Sequence, residues 1–323
     1  MTASSEIPKR EQPLQRLFLF ITLLFALFHV GRSYAETSVL FIGNSFTYGY
    51  GSASRFYRAD TVTDLNLNGI GGVPALFKSF TDQAELDYAV FVETHPGSGL
   101  DFHLENKLDV IGHQPWDNVV MHGYSTMDRD RPGDSTLLVT TTAQMVEFLR
   151  GINPKVEIFL TATWSRADLV YNSGSPWSST PIDKMASDLR VAYELAAAGS
   201  QGLISVNPVG EAWTRAMAAG LADPNPYNGI DFNKINLWAD DHYHASDYGY
   251  YLEALIVFGN LTGVDPRALG ANECSGFELG MTVSQVAGLQ QTAFEQLASD
   301  KRVNPASKLR PKSATAKPCG KTR

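Results

Sequence analysis

The segment Gly43-Asn44-Ser45-Phe46-Thr47 sets a serine just after a short β-rich run, at a turn led by glycine. Toward the other end of the chain, Asp240-Asp241-His242-Tyr243-His244 offers a carboxylate and an imidazole three positions apart. A serine hydroxyl is a poor nucleophile until a neutral imidazole accepts its proton. That imidazole in turn needs a carboxylate on its other nitrogen, to fix the tautomer and stabilise the charge that develops. Ser45, His244 and Asp241 are thus of the types that supply nucleophile, base and orienting carboxylate for attack on an acyl carbon. Each also has a plainer reading. Ser45 suits the N-cap of a following helix, where Ser and Asn are preferred. Asp241, His242 and His244 are all metal-ligand types, although side chains two apart on an extended chain diverge and no third ligand pattern accompanies them.

The elements that must position these residues alternate between short apolar runs and helical periodicity. Residues 38–42, 88–92, 117–121, 155–161 and 203–206 read as strands; those with unbroken apolar runs suit burial on both faces. Residues 74–86, 137–149, 182–198, 211–219, 248–261 and 283–297 carry amphipathic helical patterns. Such alternation predicts an α/β chain, a parallel sheet covered by helices on both faces. No repeat or linker divides residues 36–300, so one domain is expected there. In sheets of this kind sites gather at the carboxyl ends of strands, which singles out Ser45, residues 96–99, residues 122–125 and Trp164-Ser165-Arg166.

Composition narrows the function classes. With 44% hydrophobic and 19% charged residues, the 323-residue chain is too apolar to be disordered. Two cysteines, Cys274 and Cys319, exclude a disulfide framework and a four-cysteine zinc site. A net charge of −8 argues against nucleic acid as a partner. Residues 17–30 form an uncharged apolar run behind Lys9, Arg10 and Arg16, with small residues at Ser33 and Ala35. The run is short of the roughly 18–20 residues that span a bilayer, and the pattern predicts a signal peptide, residues 1–35, cleaved after Ala35. The mature protein is then secreted or periplasmic, with no integral membrane span. Residues 301–323 hold eight Lys/Arg and no Asp/Glu, with few large apolar side chains. A disordered basic tail is expected there, with a tether to an acidic surface as the alternative and Cys319 available to pair with Cys274.

The first and last blocks together resemble the SGNH/GDSL-type hydrolases, in the branch whose first block reads Gly-Asn-Ser-Phe-Thr. The resemblance runs over about residues 38–265. It implies a three-layer α/β/α, flavodoxin-like fold, with the nucleophile at Ser45 and the Asp-x-x-His block at Asp241 and His244. The second-block glycine, whose N–H helps to hold the oxyanion, falls on Gly97 within Pro96-Gly97-Ser98-Gly99-Leu100-Asp101-Phe102-His103. The third block differs: Trp116-Asp117-Asn118-Val119-Val120-Met121 leads to His122-Gly123-Tyr124-Ser125, without the usual Asn or Gln. The third oxyanion donor falls to the Ser125 hydroxyl or a His122 ring N–H. The family's chemistry needs no cofactor and no metal. Its substrates imply an O-acyl ester, favoured here as an acylated small molecule or carbohydrate. The second reading is a scaffold with a weakened oxyanion hole that binds glycans without turnover.

Other polar residues carry less pattern. His103 is either adjacent to the site or structural, and His95 and His113 suit solvated loops. Arg166 could orient an anionic or sugar substrate or form a surface ion pair. Asn260-Leu261-Thr262 fits a glycosylation acceptor if the source modifies exported asparagines.

Overall fold

The computed structural model describes residues 36–302 apart from 173 and 203, together with residue 1. The expected signal peptide, Cys319 and all but the start of the basic tail lie outside the described residues. Cys274 is disulfide-bonded.

In chain order the elements are β1 (Thr37–Gly43), β2 (Thr63–Asp64), α1 (Gly72–Gln83), β3 (Tyr88–Thr94), α2 (Leu100–Asn106), α3 (Leu108–Ile111), β4 (Asn118–Met121) and α4 (Thr136–Ile152). They continue with β5 (Glu157–Ala162), α5 (Ala167–Tyr171), α6 (Asp183–Ala198), β6 (Ile204–Pro208), α7 (Val209–Ala218), α8 (Asp247–Thr262), α9 (Cys274–Glu278) and α10 (Val283–Ser299). The six strands pair in the order β2-β3-β1-β4-β5-β6, all parallel. Without the two-residue edge strand β2, this is the flavodoxin-like order 2-1-3-4-5.

Period-two alternation along β1 divides the interior. Val39 and Phe41 face a core built with Leu76, Phe77 and Phe80 of α1, Trp213 of α7, the apolar face of α8 and Leu289 of α10. Leu40 and Ile42 face the opposite core, with Met145 and Leu149 of α4 and Leu189 and Tyr193 of α6. Both faces of the sheet are therefore covered, which is why its strands read as unbroken apolar runs.

The expected strands and long helices are all present, with ends shifted by a few residues. Helix α1 stops at Gln83 rather than continuing to residue 86, because Glu85 takes a left-handed backbone (φ 57°) and turns the chain into β3. The short elements β2, α3, α5 and α9 were not foreseen: two to five residues carry too little periodicity to register.

Candidate active site

β1 is flanked by β3 on one side and β4 on the other, so the chain leaves it at the topological switch point of the sheet. A crevice opens there, beyond the strands' carboxyl ends. Ser45 lies two residues past the end of β1. Its turn closes tightly, with Thr47 and Tyr48 N–H both donating to the Asn44 carbonyl at 3.0 and 3.1 Å. Gly43 is required beneath it: a Cβ there would lie 2.1 Å from Thr47 Oγ1 and 2.6 Å from His122 Nε2.

Asn44 joins three strand ends. Its Oδ1 accepts from Phe46 N–H at 3.0 Å, while Nδ2 donates to the carbonyl of Ser98 at 2.7 Å and to that of Gly123 at 3.4 Å. This turn is then clamped to α8. Tyr250 Oη donates to the carbonyls of Ser45 (3.2 Å) and Tyr50 (3.1 Å), and Asp247 accepts from both N–H and Oγ of Ser54.

The loop just before α8 carries the other two residues. Ala239 N–H donates to the His244 carbonyl and His242, in a left-handed conformation (φ 55°), donates back to Ala239. Asp241 Oδ1 accepts from the N–H groups of Tyr243 (3.0 Å) and His244 (2.8 Å), fixing the carboxylate. His244 Nδ1 donates to Asp241 Oδ2 at 2.6 Å, and Ser45 Oγ donates to His244 Nε2 at 2.8 Å. Residues 199 apart in sequence meet in one relay.

Electrostatics suit proton transfer. Burial lowers the His244 pKa below the usual imidazole value, against the raising pull of Asp241, so the ring is neutral and basic at neutral pH. For Asp241, burial disfavours the charge, but the hydrogen bonds from the His244 ring and from two backbone N–H groups together outweigh it and hold the carboxyl below its ordinary range.

Two backbone donors near the turn are left unengaged. The N–H groups of Ser45 and Gly97 make no hydrogen bond to another described residue. Gly97 has φ 65°, a left-handed conformation that favours glycine, and nothing lies within 4 Å of where its Cβ would be. Ser125 is buried in the wall of the crevice, and its Oγ accepts from Arg166 Nη1 at 3.4 Å, while its own O–H has no acceptor among the described residues.

His122 does not fill the role expected of it. Its Nδ1 donates to the Gly123 carbonyl at 2.9 Å, and its Nε2 accepts from Thr47 Oγ1 at 2.8 Å. Burial pushes its pKa down to about 4, so the ring is neutral with a single N–H, already committed to that carbonyl. It has no hydrogen left for an oxyanion and instead braces the Ser45 turn from below.

His103 is likewise structural. It is fully buried, its Nε2 donates to the Gly43 carbonyl at 3.0 Å, and its Nδ1 makes an ion-pair contact with the fully buried Glu93. His95 is exposed and stacks on Phe102 at 4.0 Å. The His242 ring lies against Tyr227 (4.2 Å). Asn260 is buried, with its amide donating to Asn207 Oδ1 and the Val206 carbonyl, so its place in the fold excludes glycosylation.

The fold is matched in solved structures. A DUF4886 family protein from Bacteroides uniformis superposes with a TM-score of 0.57 at 16% identity, over 83% of this chain and 97% of that one. A candidate GDSL-like lipase from Parabacteroides merdae gives 0.50 at 15% identity, over 71% and 96%. The fold is that of the SGNH hydrolases. A candidate SGNH hydrolase from Slackia heliotrinireducens superposes at 0.47 with 22% identity, over 70% and 99%. No protein-family profile matches the sequence, and no curated protein does.

In this SGNH fold a cavity of about 680 Å³ adjoins the turn, with Asn44, Gly97, Ser125 and Arg166 in its wall. Arg166 forms the ion pair considered for it, with Asp168 at 2.6 Å, and its side chain also lines the cavity. Sequence reasoning missed Glu93, Tyr250 and Asp247 as supports of the site. Glu93 directly follows the apolar run of residues 88–92 within β3, and a carboxylate there is the one signal that could have drawn notice. Tyr250 and Asp247 sit on a helix whose pattern indicated only packing.

Proposed function

We propose that the protein is an exported serine esterase acting on O-acyl esters, O-acetyl esters first among them. The observation that carries this is the continuous relay from Ser45 Oγ through His244 to Asp241, with hydrogen bonds of 2.8 and 2.6 Å. Ser45 Oγ attacks the acyl carbon as its proton passes to His244 Nε2. The oxyanion forms against the N–H groups of Ser45 and Gly97 and the Ser125 hydroxyl. Collapse expels the alcohol, which takes its proton from His244, and leaves the acyl group on Ser45. Water then attacks that ester with His244 again as base, and the acid departs. These steps use no cofactor.

The fold shared with a candidate GDSL-like lipase supports an ester substrate. A carbohydrate as the alcohol part is supported by half-exposed aromatic rings on both sides of the His244 loop. The Tyr50 ring lies 4.6 Å from that of His244 and the Tyr227 ring 4.2 Å from that of His242, offering flat apolar faces to a sugar ring. Export rests on residues 17–30 and Ala35, and N-terminal sequencing of the native protein tests it: a mature chain beginning at Glu36 is expected.

One observation favours the second reading, a glycan-binding scaffold of reduced activity. With the N–H of His122 and, in the first block, the amide of Asn44 both committed elsewhere, the third block offers the Ser125 hydroxyl as its side-chain donor among the described residues. Loss of one oxyanion donor costs about 2.7–4 kcal/mol of transition-state stabilisation. Turnover of p-nitrophenyl acetate, beside Ser45→Ala and with a chelator, decides between them. Hydrolysis abolished by Ser45→Ala and indifferent to chelator is expected. Equal background rates in both folded proteins would overturn the esterase reading for the scaffold one.

A further inference from the structure

We infer that the cavity beside Ser45 binds a carboxylate, and that the esters it accepts are O-acyl esters of carboxylate-bearing sugars, the uronates. This rests on the esterase reading and names its substrate class. The wall of the cavity contains two arginines, Arg129 and Arg166, and no Asp or Glu, in a chain whose net charge is −8. Positive charge is thus concentrated at the one place where a substrate would sit, against the trend of the whole molecule.

Arg166 is pre-oriented. Its guanidinium lies over the ring of Tyr243, 3.6 Å from the centroid, and its Nε and Nη2 donate to Asp168 at 3.1 and 2.6 Å. That leaves Nη1 directed at Ser125 Oγ, on the wall shared with the oxyanion donor. A guanidinium has five N–H donors, so a fork held on one edge by Asp168 keeps others for a second carboxylate. Asp168 offsets one charge. Arg129 forms no ion pair among the described residues and leaves the wall net positive.

The size of the cavity fits the same conclusion. About 680 Å³ is far more than an acetyl group fills and lies within the usual range for ligands of sugar size and above. An acyl group at Ser45 leaves that volume to the alcohol part, whose ring carboxylate would reach the arginines.

The test compares acetate release from the O-acetyl esters of methyl galacturonoside and methyl galactoside, which differ only in the carboxylate, with p-nitrophenyl acetate as reference. The uronate ester is expected to have the higher kcat/KM by about tenfold or more, the discrimination typical of a charge-assisted hydrogen bond. That ratio should fall toward one in Arg129→Gln and Arg166→Gln, and be largely kept in Arg129→Lys. A ratio near one in the unaltered protein, or one that both glutamine variants leave intact, overturns the inference while the esterase reading stands. Absence of Ser45-dependent turnover on all three esters overturns the esterase reading itself.

Discussion

The side-chain amide of Asn44 lies 2.7 Å from the carbonyl oxygen of Ser98, with the carbonyl of Gly123 at 3.4 Å from the same nitrogen. Two acceptors facing one atom require a donor there. An aspartate would point a carboxylate at both oxygens. Asn44→Asp is therefore expected to lower stability by about 1–3 kcal/mol near neutral pH, the cost of buried groups left unpaired. The loss should shrink in acid, where the introduced carboxyl regains a hydrogen to donate. Urea midpoints at the two pH values check this, and equal midpoints for the two proteins near neutrality would sink it.

The pH dependence of turnover follows from His244. It serves as base only when unprotonated, and its pKa is lowered below 6.5 mainly by burial. Activity should be full above that pKa and fall as the pH drops through it, so the acid limb of kcat/KM has its midpoint below 6.5. Asp241 pulls this pKa upward, so Asp241→Asn should move the limb to still lower pH and reduce kcat by about a thousandfold or more. A limb that stays in place in Asp241→Asn would contradict the relay.

Glu93 and His103 form a pair with both side chains fully buried beneath Gly43. Burial disfavours the Glu93 charge, but His103 first, then Asn66 and Lys107, more than compensate and hold its pKa below the usual value. A carboxyl depressed by folding adds stability above its unfolded pKa and loses it as the pH falls through the folded one. Glu93→Gln should cost about 3–5 kcal/mol near neutrality, as breaking a buried pair does, with the difference narrowing in strong acid. Denaturant midpoints measured across pH report it, and a gap that is constant or widens in acid would refute the linkage.

Glu253, on α8, is buried, and its Oε2 has no hydrogen-bond partner among the described residues. Burial raises its pKa well above 4.5, so the folded protein keeps a proton that the unfolded chain releases. This group lowers stability as the pH rises above its unfolded pKa. Glu253→Met, similar in shape and without the carboxyl, is expected to stabilise by about 1–3 kcal/mol at neutral pH. The part of that gain due to proton linkage should disappear below about pH 4. Thermal melts of the two proteins at both pH values test it; a variant less stable than the parent at neutral pH would show that Glu253 has a partner role in the core.

Local patterns in the sequence were enough to place the major elements in order and to single out Ser45, His244 and Asp241, which folding brings together. Period-two and period-3.6 patterns are local, and a strand buried on both faces advertises itself as an apolar run such as residues 38–42. Ser45, Asp241 and His244 were legible because serine after a glycine turn and Asp-x-x-His are short-range patterns with one shared chemistry. What the sequence could not carry was the company each polar side chain keeps. His122 and Ser125 were equal candidates on paper. Only the packed structure spends the His122 N–H on its neighbour's carbonyl and leaves the Ser125 hydroxyl in the wall of the cavity. His103 became a brace when folding set Glu93, distant by ten residues in sequence, against its ring. Arg129 and Arg166 line one cavity because β4 and β5 are adjacent in the sheet and their following loops meet at its carboxyl edge. Hydrogen-bond commitment and burial depend on contacts between distant segments, and those contacts exist only once the chain has folded.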